Sequence, residues 1–441
     1  MRRSMIDGGA FSVMMGLGEF YLPAFVLALA LGEVASGLVA TVPQIAGALL
    51  QLAGFSGVRW LKSHKRWVLV AVAVQSLAFV PLAVGAAAGS LPAWAVFAAA
   101  TMYWAGGMAG GAAWSTWVGT MVPQRCRSRF FSRRQRVLQS GTLLGFLGAG
   151  VSLWVVSGGV PLEKITDDGS RRLVLWTFAG LFACAGVCRA VSWLFLLLQS
   201  EPSPMPAGHR AVGVRELWGR VRAPITSPAG QDAKLILYML GVNFSAHFAA
   251  PFVNPYVLKE LGHNYLTYTW LIGTVPLAKA VALGLMGLLA ARFGARRLLL
   301  IGGLGIVPVS ALWAVSTSLA WLGVLQVCSG FAWAAWELAT FLLILERLKP
   351  QERTSLMATY YVGNSACIAA GSALGGWLLA SLGAGQTAYA WVFGLSTLMR
   401  ALTIVPLVWI VRWRVSDPHT LAAGAPPIDG EAWPGRSAPT E

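Results

Sequence analysis

Gly287-Leu288-Leu289-Ala290-Ala291-Arg292-Phe293-Gly294-Ala295-Arg296-Arg297 joins two long apolar runs, near 265–290 and 298–317. Three arginines and a glycine in so short a connection read as a tight turn at a water-facing edge. Each flanking run is long enough for a helix that crosses a hydrocarbon core, which takes about 20 apolar residues. The same alternation continues outward over most of the chain. Of 441 residues, 56% are hydrophobic and only 11% are charged, and mean hydropathy is +0.65. A soluble protein carries about a quarter charged residues because its surface faces water. The composition therefore excludes a soluble globule, a disordered chain, a coiled coil and a disulfide scaffold, and describes a membrane protein.

Further spans fall near 8–31, 35–52, 67–88, 92–113, 138–156 and 173–198, then near 235–258, 265–290, 298–317, 320–345, 355–382 and 387–411. Six follow six. The expected organisation is an N-terminal bundle over 1–200, a Pro- and Arg-rich linker over 201–232, a C-terminal bundle over 233–414 and a flexible tail over 415–441. Arg2 and Arg3 precede a full-length first span with no small-residue cleavage site, so that span is expected to remain.

The net charge of +16 is spread over short basic runs between spans, unlike the single basic face of a nucleic-acid binder. Alternate connections hold Arg2 and Arg3, Arg59 to Arg66, Arg125 to Arg136, Arg210 to Lys234, Arg292 to Arg297, Arg347 to Arg353, and Arg412 onward. The intervening ones hold only Lys164, Arg171, Arg172 and Lys259. Basic loops stay on the cytoplasmic side, so both termini are expected in the cytoplasm of a cell whose plasma membrane the chain spans many times. Cys126, Cys184, Cys188, Cys328 and Cys367 form no C-x-x-C pattern and read as small apolar side chains. No Walker A loop, H-E-x-x-H or G-x-S-x-G string occurs, so neither ATP hydrolysis nor an enzyme is indicated, and no cofactor or metal is called for.

The halves repeat one another. Glu19-Phe20-Tyr21-Leu22-Pro23 matches His247-Phe248-Ala249-Ala250-Pro251, and Thr41-Val42-Pro43 matches Thr274-Val275-Pro276. Ala112-Ala113-Trp114 matches Ala334-Ala335-Trp336, and Pro123-Gln124 matches Pro350-Gln351. Internal symmetry of this kind marks secondary transporters.

Over residues 1–414 the chain resembles the bacterial members of the major facilitator superfamily. The opening stretch is similar to that family's loop signature, G-x-L-A-D-R-x-G-R-R, with Ala291 in place of the acid; the first copy is eroded to Gly57-Val58-Arg59-Trp60-Leu61-Lys62-Ser63-His64-Lys65-Arg66. Gly371-Ser372-Ala373-Leu374-Gly375-Gly376 resembles the family's span 11 glycine motif. The resemblance implies an all-α fold of twelve transmembrane helices in two pseudo-symmetric bundles, working as a monomer by alternating access. It assigns an inner-loop gating role to Gly287, Arg292, Gly294, Arg296 and Arg297. The arginine that drug–proton antiporters carry early in span 4 is absent from Thr101-Met102-Tyr103-Trp104-Ala105-Gly106, and the span 5 glycine–proline motif is degraded at Gly145-Phe146-Leu147-Gly148-Ala149-Gly150.

Ionisable residues inside a membrane are costly and default to functional hypotheses. Glu19 and His247, at equivalent repeat positions on spans the resemblance places around a central cavity, are expected to bind a proton or a cationic substrate. The alternative is a structural hydrogen bond from each to a nearby carbonyl or hydroxyl. Asp7 lies nearer the inner interface. Lys279 and Glu337 fall at similar depth and are expected to form an intramembrane ion pair, while Arg189 and Arg400 are expected to stabilise the bundles by facing carbonyls. Tyr21, Gln44, Asn243, Asn254 and Trp336 are expected to line the cavity, with Asn243, His247 and Asn254 on one stripe of span 7. The expected activity is secondary active transport of a small solute, coupled to protons. An uncoupled facilitator, or a non-transporting lipid-handling or assembly factor, is the alternative. The expected partners are a small-molecule substrate and membrane lipid, without nucleic acid.

Overall fold

The computed structural model describes residues 2–31, 33–39, 42–51, 54–158, 167–202, 216, 219–220, 222–223, 227–261, 265–383 and 385–412. Backbone N–H and C=O groups in hydrocarbon have no water to bond, so helices close the ladder internally. Among the described residues ten helices are long and apolar enough to cross a bilayer. These are α1 (Arg2–Ala28), α3 (His64–Ala88), α5 (Gln124–Val156), α6 (Asp168–Leu197), α7 (Gly230–Pro255), α8 (Tyr265–Phe293), α9 (Ala295–Leu312), α10 (Leu319–Arg347), α11 (Pro350–Ser381) and α12 (Gln386–Val408). The helix Ala93–Met121, α4, and the pieces Glu33–Leu38, Val42–Leu50 and Gly54–Leu61, together α2, complete the twelve-helix fold.

Local chemistry sets the ends. Ser63 Oγ accepts from the Arg66 N–H at the start of α3, and Asp167 Oδ2 accepts from the Ser170 N–H at the start of α6; both satisfy donors that a helix start leaves open. The Ser170 N–H also holds the exposed Asp167 carboxyl below its usual range. Gly294 turns α8 into α9 at φ +82°, where a side chain would be strained. At the start of α3, Ser63 Oγ and the Lys65 N–H donate to the Glu201 carboxylate at 2.5 and 2.8 Å.

Two bundles follow from the pairings. In the first, α1 packs on α5 and α6, α4 on α2 and α3, and α3 on α6; in the second, α7 packs on α11 and α12, α10 on α8 and α9, and α9 on α12. The pairings are the same when each helix is advanced by six. Glycines permit the closest of them. A Cβ on Gly145 of α5 would lie 2.6 Å from the Val13 carbonyl of α1, and one on Gly371 of α11 would lie 2.6 Å from the Phe244 carbonyl of α7. The degraded glycine string of α5 and the well-kept one of α11 thus do the same packing in the two halves.

The sequence expectation for the fifth span started at 138. The helix instead starts at Gln124, because Arg127 and Arg134 find partners inside the protein and need not remain in a loop. The eleventh starts at Pro350 rather than 355 for a similar reason: Arg353 is buried. The 201–232 linker lies mostly outside the described residues. Its described Arg220 binds Glu352 at the start of α11 through Nη1–Oε2 at 2.8 Å and Nη2–Oε1 at 3.0 Å, and Glu216 at 2.7 Å. These carboxylates push the Arg220 guanidinium further toward its charged form. Thr41, Lys164, Arg210, Arg215, Arg414, Arg436 and the 415–441 tail also lie outside the described residues.

Gly145→Ala should lower the melting temperature of the detergent-purified protein, with a cost of about 1–3 kcal/mol as for other overpacked sites. Gly148→Ala, where an added Cβ meets nothing within 4 Å, should leave it unchanged. Equal effects would mean that the α1–α5 contact is not tight.

Candidate functional site

Both α1 and α7 break about two-thirds of the way along, and both breaks are caused by proline. Pro23 and Pro251 lack an N–H and crowd the carbonyl four residues earlier. Those earlier residues are Glu19 and His247. A 3-10 turn, Glu19–Tyr21, interrupts α1, and another, Ala250–Phe252, follows the end of the regular helix at His247. The loosened His247 carbonyl accepts from Ser372 Oγ of α11 at 3.4 Å.

Glu19 does not stand free at its break. Tyr103 of α4 donates its hydroxyl to Glu19 Oε2 at 2.6 Å, between Phe79 and Leu82. Tyr103 went unnoticed in the sequence, where nothing distinguishes it from a packing aromatic. His247 Nδ1 is 2.9 Å from the Asn243 carbonyl one turn earlier. The two titratable residues therefore sit in separate bundles with separate partners.

A denser cluster lies toward the end of the molecule where the basic loops gather, here termed the basic end. Asp7 of α1 takes Arg134 Nη2 of α5 on Oδ2 at 3.2 Å and the Ser192 hydroxyl of α6 on Oδ1 at 2.7 Å. Ser192 Oγ in turn accepts from Arg189 Nη1 at 2.8 Å. Arg134 Nε reaches the Ser4 carbonyl at 3.3 Å, and its guanidinium stacks 4.1 Å over Trp114 of α4; that of Arg189 lies 4.6 Å over Phe11. Asp7 is 2% exposed, Arg189 6% and Ser192 0%. The network faces a cavity of about 270 Å³ whose lining includes Trp114, Gly111 and, from the other bundle, Phe341 and Tyr361. Arg189 is thus part of a cavity wall as well as a bundle tie. Arg400 has only the second role, donating to the Ile306 carbonyl at 2.9 Å. The sequence reading counted Arg134 as a loop base, since the run from Arg125 to Arg136 is too polar to look like a span. Its three- and four-residue spacing of phenylalanines and serines was the available sign of a helix.

In the second bundle Lys279 Nζ lies 2.6 Å from Glu337 Oε1. Asn243 donates to the Met239 carbonyl at 2.9 Å and to Tyr360 Oη at 3.3 Å. Trp336 was expected at a cavity wall but is 5% exposed; its indole N–H bonds Tyr238 Oη at 3.1 Å within the core. Tyr21 also serves packing, donating to the Phe146 carbonyl at 2.7 Å and stacking on that ring. Gln44 is half-buried and Asn254 exposed.

The bundles meet through α5 with α8, α11 with α2 and α4, and α10 with α5. Among the described residues every cross-bundle hydrogen bond lies toward the basic end. Thr116 and Thr354 hydroxyls are 2.8 Å apart, Gln51 Nε2 donates to the Ala358 carbonyl at 3.0 Å, and Arg127 Nη1 donates to the Leu345 carbonyl at 3.4 Å. Leu345 O also accepts from Arg353 Nη2 at 2.9 Å, while Arg127 Nη2 takes the Gly119 carbonyl at 2.8 Å. The C-terminal ends of α4 and α10, each a concentration of partial negative charge, are held by two arginines.

The residues of the opening stretch divide among different tasks. Gly287 sits on α8 directly against Ser132 of α5. Gly294 makes the turn, Arg292 covers the Phe293 ring at 5.3 Å, and Arg297 is exposed. Arg296 shares the field of Glu346, at the end of α10, with Arg127 and Arg347.

Residues 235–435 match the family model described as Major Facilitator Superfamily. No curated protein matches the chain in sequence. Among solved structures it is similar to a bacterial homologue of the iron transporter ferroportin in an outward-facing state (TM-score 0.71, 15% identity, 93% of this chain and 99% of that one). It is similar also to the Major Facilitator Superfamily transporter FucP in the outward conformation (0.70, 14%, 91% and 98%) and to the proton:xylose symporter XylE (0.63, 14%, 91% and 94%). At these identities the likeness is one of fold.

Asp7→Asn should strand two buried guanidiniums and cost about 3–5 kcal/mol, as breaking a buried pair does. Adding Arg134→Gln should recover part of that loss in thermal unfolding of the purified protein. Additive losses would mean the two side chains are not coupled.

Proposed function

We propose, from the premise that this chain is a member of the Major Facilitator Superfamily in its fold and in the sequence of its second half, that it is a proton-coupled secondary transporter. It moves a small solute by alternating access as a monomer, in a bacterial inner membrane with both termini in the cytoplasm. One observation carries the reading: the cross-bundle hydrogen bonds described all gather at the basic end. With basic loops facing the cytoplasm, this arrangement is a chain latched on the inside, and the structural neighbours in outward states support it. Alternating access then consists of releasing Arg127, Thr116 and Gln51 from α10 and α11 while contacts form at the opposite end.

Proton coupling is assigned to Glu19. It lies at a helix break, where a small backbone rotation changes its distance from Tyr103, and the hydroxyl that donates to the carboxylate is free to turn away when the acid is protonated. Protonation thus alters what holds α1 to α4. The Lys279–Glu337 pair ties α8 to α10, and in this reading is a fixed strut of the second bundle.

Arg127→Gln removes the cross-bundle donor to Leu345 O and should shift the equilibrium toward opening at the basic end. In a cysteine-free background, Ala358→Cys should then react faster with a membrane-impermeant maleimide applied from the cytoplasmic side. A rate no higher than with Arg127 intact would remove the latch.

Glu19→Gln should abolish the pH dependence of solute flux in proteoliposomes while leaving the protein folded and inserted. Flux that persists without proton movement in the unmodified protein would instead identify an uncoupled facilitator.

A further inference from the structure

We propose that the cavity beside Asp7, Arg134 and Arg189 binds the carboxylate of a small organic monoanion with an apolar or aromatic body. This rests on reading that cavity as part of the transport path, and it names the class of solute.

Charge comes first. Two guanidiniums and one carboxylate meet there, so the cluster carries one uncompensated positive charge in a place where solvent cannot neutralise it. Glu19 does not supply the missing negative charge at this site, because it lines a different pocket with Tyr103 and is absent from the wall of this one. Asp7 already accepts from both Arg134 and Ser192.

Hydrogen-bonding capacity points the same way. Two polar side-chain atoms among the cavity-lining residues are buried without any partner, and both are donors: Arg189 Nε and Trp114 Nε1. Buried donors without acceptors are expensive, and native structures rarely keep them without a reason. Arg400 Nε is likewise unpartnered, but Arg400 lines none of the cavities described. A carboxylate, which only accepts, brings acceptors to Arg189 and Trp114 after a small rotation of either side chain. A cation or an amine would meet the wrong sign and the wrong polarity.

The walls set the rest of the ligand. Phe11, Val72, Trp114, Phe341 and Met357 are apolar or aromatic, and Gly111 leaves the α4 wall flat opposite Tyr361 so that a ring has room. One net positive charge matches a monoanion better than a dicarboxylate or a phosphate ester. Because Phe341, Met357 and Tyr361 come from the second bundle, an occupant touches both halves and its affinity depends on how they are arranged.

The test uses the purified full chain in detergent and equilibrium dialysis of radiolabelled benzoate, with benzamide as the neutral control. Acetate, phenylacetate and decanoate serve as competitors at constant ionic strength. Saturable benzoate binding is expected, displaced by phenylacetate and not by benzamide. Arg189→Gln should weaken it on the order of tenfold or more, the scale of a lost charge-assisted hydrogen bond. Gly111→Val provides a check that leaves the charges alone: its Cβ would meet only the Tyr361 hydroxyl, at 3.6 Å, so it fills space without a backbone clash. It should weaken benzoate binding while preserving the melting temperature. Benzamide binding as well as benzoate, none of the carboxylates binding better than its amide, or unaltered benzoate affinity in both variants would overturn the proposal. The maleimide experiment at Ala358 is independent of it. Opening of the latch without carboxylate binding would discard the solute class and leave the transporter reading in place; failure of both would remove the two together.

Discussion

The carbonyl of Leu345 accepts hydrogen bonds from an arginine of each half, Arg127 of α5 and Arg353 of α11. Helix C-termini leave carbonyls unpaired, and in a membrane protein those carbonyls must find donors or water. Here α4 and α10 end side by side at the interface of the two bundles, so the donors that satisfy one bundle also hold the other. Capping and latching are a single interaction. In the proposed transport cycle the latch is reversible, because Arg127 is only half-buried and solvent can replace its bonds at small net cost. A latch of buried ion pairs would be harder to release, since separation would leave charges stranded in hydrocarbon.

Pseudo-symmetry governs the backbone and stops short of the chemistry. The packing pairs, the glycine contacts at Gly145 and Gly371, and the proline breaks at Pro23 and Pro251 recur in both halves. The charges do not. The first bundle has Asp7, Arg134 and Arg189 around an unfilled space, whereas the second has a closed pair, Lys279 with Glu337, and a lone Arg400 turned to a carbonyl. Duplicated packing gives two bodies that fit each other in more than one arrangement. Divergent charge puts a polar cavity wall in the first of them. Function in such a fold is therefore expected to be lopsided, with one bundle presenting most of the polar recognition and the other mainly closing over it.

Much of the fold was legible from sequence because the bilayer imposes it. Apolar runs of helix-spanning length and a strict alternation of basic loops leave few other architectures, and the recurrence of Glu19 to Pro23 at His247 to Pro251 marked the halves. The site was less legible, for two physical reasons. Hydropathy measures exposure to lipid, so a helix whose polar residues face other helices looks like a loop. That concealed Arg134 and Arg353, and it put the start of α5 at 138 instead of Gln124. Aromatic residues, in turn, give no sign of whether their polar atom is committed. Trp336 looked suited to a cavity and spends its N–H on Tyr238, while Trp114, with a similar local sequence, keeps its own unpartnered.

The placement of Glu19 and His247 four residues before a proline gives the repeated string a physical meaning beyond shared ancestry. A proline in a helix frees a carbonyl and weakens the ladder where the side chain of that earlier residue emerges. An ionisable group at such a position is coupled to the softest part of its helix: a change in its charge state alters the local hydrogen bonding, and a bend of the helix alters its surroundings. In α1 the softened turn leads directly to Glu19 and its bond to Tyr103; in α7 it leads to His247 and the Ser372 contact with α11. Each half thus carries a flexible joint with a titratable group at the joint. The joints lie about two-thirds of the way along their helices, while the cross-bundle bonds lie toward the basic end. Bending at the joints moves the segments beyond them relative to the basic end, which is the geometry that the proposed opening on one side at a time requires.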